Sequence, residues 1–126
     1  MTTQEMVMTT QQIADRLVEL CKKGDYETAQ RELYADDAVS IEAMESPAFA
    51  KETHGLDAII EKGHKFNSMV EEAHGGTVSD PVVSGNTFAV KLSMDMTMKG
   101  KGRQTMEELC VYQVKDGKII AEQFFM

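Results

Sequence analysis

Basic residues are scarce in this chain, and they do not form a long run. The chain has 13 lysines and arginines against 21 aspartates and glutamates, which gives a net charge of −8 and an isoelectric point near 4.8. The longest basic run is Lys22-Lys23. Because nucleic acids and anionic membranes are bound through basic surfaces, the sequence predicts neither as a partner.

Long apolar runs are also missing. No stretch approaches the roughly 20 apolar residues that a membrane-spanning helix requires. The N-terminal sequence MTTQEMVMTTQQ has neither the basic start nor the apolar centre of a signal peptide. We therefore expect a cytoplasmic protein.

Cysteine is rare, and Cys21 and Cys110 lie far apart in the chain. Two such thiols fit a reduced cytosolic protein, and their spacing does not match a zinc motif, whose ligands are grouped closely. The three histidines lack the helical spacing of a metal pair. Since no glycine-rich phosphate loop follows a predicted strand, we expect neither a metal nor a cofactor.

Two helices are predicted near the N-terminus. The first follows Thr9-Thr10, whose hydroxyls can cap it, and ends at Gly24. The second starts after Asp25 and is broken by Asp36-Asp37, because aspartate favours caps and turns. Apolar residues recur at helical spacing at Ile13, Leu17, Leu20 and Cys21, then at Tyr26, Ala29, Leu33 and Tyr34.

The remaining segments predict one more helix and five strands. A strand is expected at 38–44 and a helix from Leu56 to Val70. Four further strands are expected at 77–83, 87–99, 103–115 and 118–126, the last two joined by a hairpin turn at Asp116-Gly117. This order indicates one α+β domain over residues 1–126, with residues 1–8 flexible and the helices packed on one face of a curved antiparallel sheet.

Three short segments, in this order and spacing, resemble a known family. They are Leu33-Tyr34-Ala35-Asp36-Asp37-Ala38, His54-Gly55 before the third helix, and residues 111–119, V-Y-Q-V-K-D-G-K-I. The resemblance is to the SnoaL-like branch of the nuclear transport factor two-like superfamily and covers nearly the whole chain. The M-D-x-T and E-Q-F-F stretches at 94–97 and 122–125 are similar to those of small bacterial SnoaL-like proteins.

The resemblance implies a cone, in which the sheet wraps around a long helix and encloses a pocket that opens at one end. The superfamily includes isomerases, polyketide cyclases, epoxide hydrolases, dehydratases and binding modules without catalysis. The fold alone therefore does not decide the function.

Glu42 is the first candidate for a catalytic residue. The resemblance to the isomerase branch places it where that branch has its general base, and burial would raise its pKa towards neutral pH. The alternative is that Glu42 points to solvent, opposite in facing to Val39 and Ile41. The isomerase's two oxyanion donors correspond to Val18 and Cys110 here, so that reaction is not expected.

Asp95 is the second candidate. A two-residue turn at Gly100-Lys101 would place it opposite Met106, on the strand face that also carries Glu108, Cys110 and Tyr112. The epoxide hydrolase branch has an acid at this position and an arginine two residues earlier. Here the earlier residue is Ser93, so epoxide opening is not expected. Alternatively, this side of the strand is a solvated surface.

Glu122 depends on the register of the last hairpin. A two-residue turn at Asp116-Gly117 would place it opposite Val111, whereas a three-residue turn would place it opposite Cys110, on the presumed pocket side. We favour the second. His54 is expected at the pocket mouth, and Glu108, Cys110, Tyr112 and Glu122 are expected to bind the ligand.

Two functions remain open. The chain is expected to bind a small apolar or weakly polar molecule, or alternatively to be an isomerase, cyclase or dehydratase that works by carboxylate acid–base catalysis. A homodimer through the outer face of the sheet is expected under both, because the face of strand 87–99 that lies opposite the presumed pocket carries an apolar row. That row is Phe88, Val90, Leu92, Met94 and Met96.

Overall fold

Three helices and seven strands make up the computed structural model, which describes residues 7–126. The helices are α1 (Thr10–Lys22), α2 (Tyr26–Leu33) and α3 (Leu56–Met69). The strands are β1 (Tyr34–Ile41), β2 (Glu52–His54), β3 (Val70–Val78), β4 (Val82–Ser84), β5 (Thr87–Met98), β6 (Gly102–Lys115) and β7 (Lys118–Phe125).

The strands form one curved sheet in the order β2-β1-β7-β6-β5-β3, and β4 pairs with the first residues of β5. Register shifts in the β1–β7, β3–β5 and β6–β7 pairings mark bulges, which bend strands and increase their twist. The predicted α+β fold with helices on a curved sheet is confirmed. One feature differs, because β1 and β7 run parallel while all other pairs are antiparallel.

The helices bury the predicted residues against the inner face of this sheet. α1 starts with a capping box, in which the Thr9 hydroxyl accepts from the Gln12 amide (3.1 Å) and the Gln12 side chain accepts from the Thr9 amide (2.9 Å). Its buried residues are Ile13, Ala14, Leu17, Val18 and Leu20. None of the helices within residues 7–126 is long and apolar enough to cross a membrane.

Some predicted boundaries were wrong. α2 ends at Leu33 and β1 begins at once with Tyr34, so Asp36 and Asp37 lie inside a strand rather than in a helix break. The β1–β7 register shifts between Tyr34 and Val39, which leaves the two exposed aspartates in the bulged part of β1. The segment 77–83 is divided between β3 and β4. Most of the predicted flexible segment 1–8 lies outside the described residues, and Met8 packs against the core.

The register of the β5–β6 hairpin also differs from the prediction. Met98 pairs with Gly102, so the loop has three residues and Asp95 lies opposite Thr105 instead of Met106. The Lys101 amide donates to the Met98 carbonyl (3.1 Å), and Gly100 has a φ of 75°, which this turn requires at its third position. The added residue shifts β6 by one position along β5.

Because side chains alternate along a strand, this shift changes which row of β6 side chains lies on the same face as each row of β5 side chains. Phe88, Val90, Leu92 and Met94 lie opposite Tyr112, Cys110, Glu108 and Met106, and together they form the inner face. The prediction that this apolar row lies on the outer face was therefore wrong. The outer face carries Lys91, Ser93 and Asp95 with their partners Leu109, Glu107 and Thr105. The homodimer itself stays a prediction.

The β6–β7 hairpin begins with the two-residue turn, but Glu122 has neither of the two partners that the sequence left open. Asp116 and Gly117 both have positive φ (52° and 78°), as a two-residue type I′ turn requires, and Lys115 pairs with Lys118. Ile120 then has no partner in the ladder, so Glu122 lies opposite Tyr112 on the inner face. The favoured three-residue turn, with Glu122 opposite Cys110, was therefore wrong, although Glu122 does lie on the cavity side as expected.

Two glycine-to-alanine substitutions test this packing in opposite directions. A Cβ on Gly76 of β3 would lie 2.6 Å from the backbone oxygen of Ser93, whereas a Cβ on Gly63 of α3 meets nothing within 4 Å. We expect Gly76→Ala to lower the free energy of unfolding by about 1–3 kcal/mol. Gly63→Ala should raise it by about 0.5–1 kcal/mol, because alanine is the better helix former. Urea unfolding of both variants measures this, and equal effects would contradict it.

Candidate functional site

A cavity of about 330 Å³ lies between the helices and the inner face of the sheet. Most of its wall is apolar and aromatic, with side chains from α2, α3 and the three long strands β5, β6 and β7. Representative wall residues are Tyr26, Ile59, Phe66, Leu92, Met106 and Phe124. Four charged residues of the wall, Glu42, Lys62, Glu108 and Glu122, collect where β1, β6, β7 and α3 meet, and Glu27, Gln30 and Asn67 line the wall from α2 and α3.

Glu122 of β7 is the most deeply buried of these polar residues, with 3% of its surface exposed. It lies opposite Ser40 in the parallel β1–β7 pairing. The Ser40 hydroxyl donates to its Oε2 (2.6 Å), and the Tyr34 hydroxyl donates to its Oε1. Burial raises the pKa of Glu122, while these two hydroxyls act in the opposite direction.

Lys62 of α3 extends this network towards the cavity opening. Its ammonium donates to the Ser40 hydroxyl (2.6 Å) and to Oε2 of Glu42 (2.5 Å), and it lies 5.5 Å from the centre of the Phe124 ring. The Lys62 and Glu42 side chains are 15% and 26% exposed, so this ion pair is well shielded from water. The hydrogen bonds therefore run without a break from Glu42 to Tyr34.

Glu108 of β6 is the third carboxyl group in this polar part of the cavity wall. Among residues 7–126 it forms no ion pair, and its one polar side-chain contact is the Cys110 thiol, 3.9 Å from its Oε1. Burial raises the pKa of Glu108, and the negative charges of Glu42 and Glu122 raise it further. Glu108 is therefore the acid on this wall that is both free of a cation and close to other carboxylates.

Cys110 and Tyr112 continue the same row along β6. Both are buried, with 1% and 6% exposure, and the Tyr112 ring stacks on Phe88 with ring centres 4.8 Å apart. Burial raises the pKa of the Cys110 thiol and of the Tyr112 hydroxyl, so both groups stay protonated near neutral pH. In the described part of the chain, the Tyr112 hydroxyl has no oxygen or nitrogen partner, and its polar neighbour is the Cys110 thiol.

Five of the seven site residues chosen from the sequence line this cavity: Glu42, Glu108, Cys110, Tyr112 and Glu122. Glu42 points into the cavity because it continues the inward row Ala38-Ser40 one residue beyond the end of β1. The alternative that Glu42 faces solvent is therefore not what the structure shows.

Asp95 and His54 lie elsewhere. Asp95 accepts two hydrogen bonds from Arg103 across the β5–β6 hairpin (3.1 and 2.9 Å), and this arginine lowers its pKa. It borders a second cavity, of about 650 Å³, between the end of α1 and β3. The His54 side chain is 72% exposed and contacts Glu52 (3.1 Å). Neither residue lines the 330 Å³ cavity.

Three residues of the polar network were missed by the sequence analysis: Tyr34, Ser40 and Lys62. Two signals were present. Ser40 shares the strand face of Glu42, because the two are separated by one residue. Lys62 lies three residues after Ile59 and four before Phe66, which places a lysine within the apolar stripe of a helix.

Comparison with known proteins assigns the family. The sequence model of the SnoaL-like domain matches residues 8–126. A solved structure from Mesorhizobium loti, of a protein proposed to be a SnoaL-like polyketide cyclase and also labelled a carbohydrate phosphatase, is 41% identical. It covers 94% of this chain and 100% of its own, with a TM-score of 0.88.

More distant structures share the fold. A cystatin-like protein from Xanthomonas campestris is 18% identical, with a TM-score of 0.73 and coverage of 94% of this chain and 90% of its own. A proposed isomerase from Bacillus subtilis is 16% identical, with a TM-score of 0.70 and coverage of 94% and 88%. Among curated proteins, none matches this chain significantly. The match over residues 8–126 and the 41% identical structure show that the chain belongs to the SnoaL-like domain family, within the nuclear transport factor two-like superfamily.

Proposed function

We propose that the chain binds a small, largely apolar molecule with one polar end in the 330 Å³ cavity. The observation that carries this proposal is that the cavity wall is largely apolar and holds a cluster of buried and half-buried polar groups where β1, β6, β7 and α3 meet. The cluster consists of Glu42, Lys62, Glu108, Tyr112 and Glu122. Ligand sites in proteins typically have this composition, with a few polar groups that orient the ligand.

The size of the cavity limits the ligand. Its volume lies near the lower end of the roughly 300–1,000 Å³ that is usual for small-molecule sites. The apolar body would displace water from Leu92, Met94, Met106 and Phe66, which gives the favourable free energy of apolar burial. The polar end would then meet Glu108 and Tyr112, because Glu122 and Glu42 already have partners.

A second function, acid–base catalysis, is favoured by Glu108. A general acid or base works best when its pKa lies near the working pH, and burial raises the pKa of Glu108 in that direction. The carboxyl group lines the cavity without an ion-pair partner among residues 7–126, so it is free to take a proton from a bound molecule and return it. Glu42 and Asp95 suit this role less, because each pairs with a cation.

The homodimer is proposed through the outer face of the sheet. Val82, Leu109, Val111 and Phe125 form an apolar surface there, which we call the outer patch. Val82, Leu109 and Phe125 are 74%, 44% and 47% exposed, and Leu109 lies directly opposite Phe125. Isologous pairing of two copies is the commonest way to bury such a surface.

Binding is tested by filling the cavity. Leu92→Trp places a large ring in the cavity, and Lys91→Trp places the same ring on the outer face as a matched control. With benzyl alcohol as the probe, we expect Leu92→Trp to weaken binding at least about ten-fold in calorimetry, because the apolar volume is lost. Lys91→Trp should bind like the original chain. Equal affinities in both variants, each checked for cooperative unfolding, would argue against this cavity.

The state of Glu108 is tested by the pH dependence of stability. Its raised pKa means that the folded chain is stabilised at low pH and loses this contribution as pH rises through that pKa. Glu108→Gln should therefore raise the midpoint of thermal unfolding near pH 7 by about 4 °C, the effect of about 1 kcal/mol. The gain should shrink below about pH 4.3, the ordinary glutamate value. Glu107→Gln, on the outer face, is the control, and a gain that does not depend on pH would contradict this account.

The dimer is tested by sedimentation. Leu109→Lys introduces a charge into the outer patch, whereas Thr105→Lys introduces it on the same face outside the patch. We expect the original chain and Thr105→Lys to sediment as dimers at micromolar concentration, and Leu109→Lys to dissociate at least about ten-fold more readily. A monomeric original chain would refute the proposal.

A further inference from the structure

The polar cluster of the cavity holds more acids than cations. Glu42, Glu108 and Glu122 contribute three carboxyl groups, and Lys62 contributes one ammonium, which is paired with Glu42. Glu122 is satisfied by two hydroxyl donors, so the group without a strong donor is Glu108. Like charges close together raise the free energy of the ionised state, and one added cation would lower it.

Lys62 shows how this wall accommodates an ammonium group. Its nitrogen is shielded from water, donates a hydrogen bond to Oε2 of Glu42 (2.5 Å), and lies 5.5 Å from the centre of the Phe124 ring. A carboxylate together with an aromatic face is a favourable environment for a buried cation. Strand β6 presents the same two kinds of group to the cavity, the carboxylate of Glu108 and the aromatic ring of Tyr112. In the described part of the chain, no lysine or arginine forms an ion pair with Glu108.

The second arrangement consists of Glu108, Cys110 and Tyr112. These residues alternate along β6 and therefore lie on the inner face, with the Cys110 thiol between the Glu108 carboxyl and the Tyr112 hydroxyl. Tyr112 is 6% exposed and lines the cavity, yet its hydroxyl has no oxygen or nitrogen partner among residues 7–126. Its polar neighbour is the Cys110 thiol, and because sulfur is a weak hydrogen-bond partner, the Tyr112 oxygen can still accept from a stronger donor.

We propose that the polar end of the ligand is a protonated amine, bound by the carboxylate of Glu108 and the hydroxyl oxygen of Tyr112. This inference rests on the proposed binding function and adds the chemical class of the ligand. The apolar body of the amine would lie against Leu92 and Met106, and its ammonium would supply the positive charge that the cluster lacks. A neutral ligand with only a hydrogen-bond acceptor would need Glu108 protonated and would leave the acid excess uncompensated.

The affinities for an amine and for a neutral acceptor ligand should change with pH in opposite directions. The charged groups facing Glu108 from the packed elements are Glu42 beyond β1, Lys62 of α3 and Glu122 of β7. Because the pKa of Glu108 is raised, its carboxylate forms at higher pH than in a free glutamate. Affinity for an amine should therefore increase as pH rises, whereas affinity for an acceptor ligand should decrease.

The experiment compares benzylamine, benzyl alcohol and toluene, which share one ring and differ at the polar end. We expect benzylamine to bind the full chain at least about ten-fold tighter than benzyl alcohol at about pH 7.5, with the preference reduced at about pH 5. Glu108→Gln should abolish the preference. Glu107→Gln, one residue away on the outer face and paired with Lys91, should retain the preference.

Each other outcome has a distinct meaning. If benzyl alcohol or toluene binds and benzylamine shows no preference, the amine proposal is wrong and the binding function stands. If the preference persists in Glu108→Gln, the amine is attracted by the acidic surface and the proposal is also wrong. If none of the three probes binds, both the amine proposal and the binding function are refuted for ligands of this size. Cooperative thermal unfolding of each variant confirms that the comparison is made on folded protein.

Discussion

The buried carboxyl group of Glu122 is the constraint on which the inner face depends. A carboxyl at 3% exposure is costly unless it is hydrogen-bonded, and its donors come from Tyr34 and Ser40 of β1. They reach it because β1 pairs with β7 in parallel, with Ser40 opposite Glu122. Ser40 also accepts from Lys62, which ties α3 and Glu42 to the same network. One buried acid therefore links two strands, a helix and the cavity wall.

The register of the β5–β6 hairpin decides which residues surround that acid. With a three-residue loop, Glu108, Cys110 and Tyr112 share the inner face of the sheet with their partners Leu92, Val90 and Phe88. With a two-residue loop, the row on β6 would have faced the same side as Asp95. The length of one loop thus separates Asp95, which pairs with Arg103 outside, from Glu108, which stays without a cation inside.

Binding and catalysis depend on the same imbalance of charge in this site. An acid that lines an apolar cavity without a cation can hold a ligand's positive charge, or it can exchange a proton with the ligand. Which of these the chain uses depends on whether the bound molecule has a proton acidic enough to leave. Family membership alone does not separate the two, because one fold can carry several functions.

Local signals in the sequence determined the order of the three helices and the long strands, the helix cap at Thr9, the Asp116-Gly117 turn and the alternation along β5, but not the short strand β2. These features arise from contacts between residues close in the chain, so propensity and periodicity are sufficient to predict them. The choice of Glu42, Glu108, Cys110, Tyr112 and Glu122 also followed from alternation and from the family resemblance, and these five residues do share one cavity.

Only the tertiary structure decided the hairpin registers, the bulge at Ile120 and the parallel pairing of β1 with β7. Each depends on how distant segments fit together, and a shift of one residue changes little in local propensity while it reverses the face of a whole strand. The partners of Glu122 and Glu42 are a further case. Tyr34 and Ser40 of β1 and Lys62 of α3 meet these carboxyl groups because a buried carboxyl without hydrogen-bond donors would destabilise the fold. This destabilisation arises only after the fold has removed water from the site, so local sequence patterns do not reveal it.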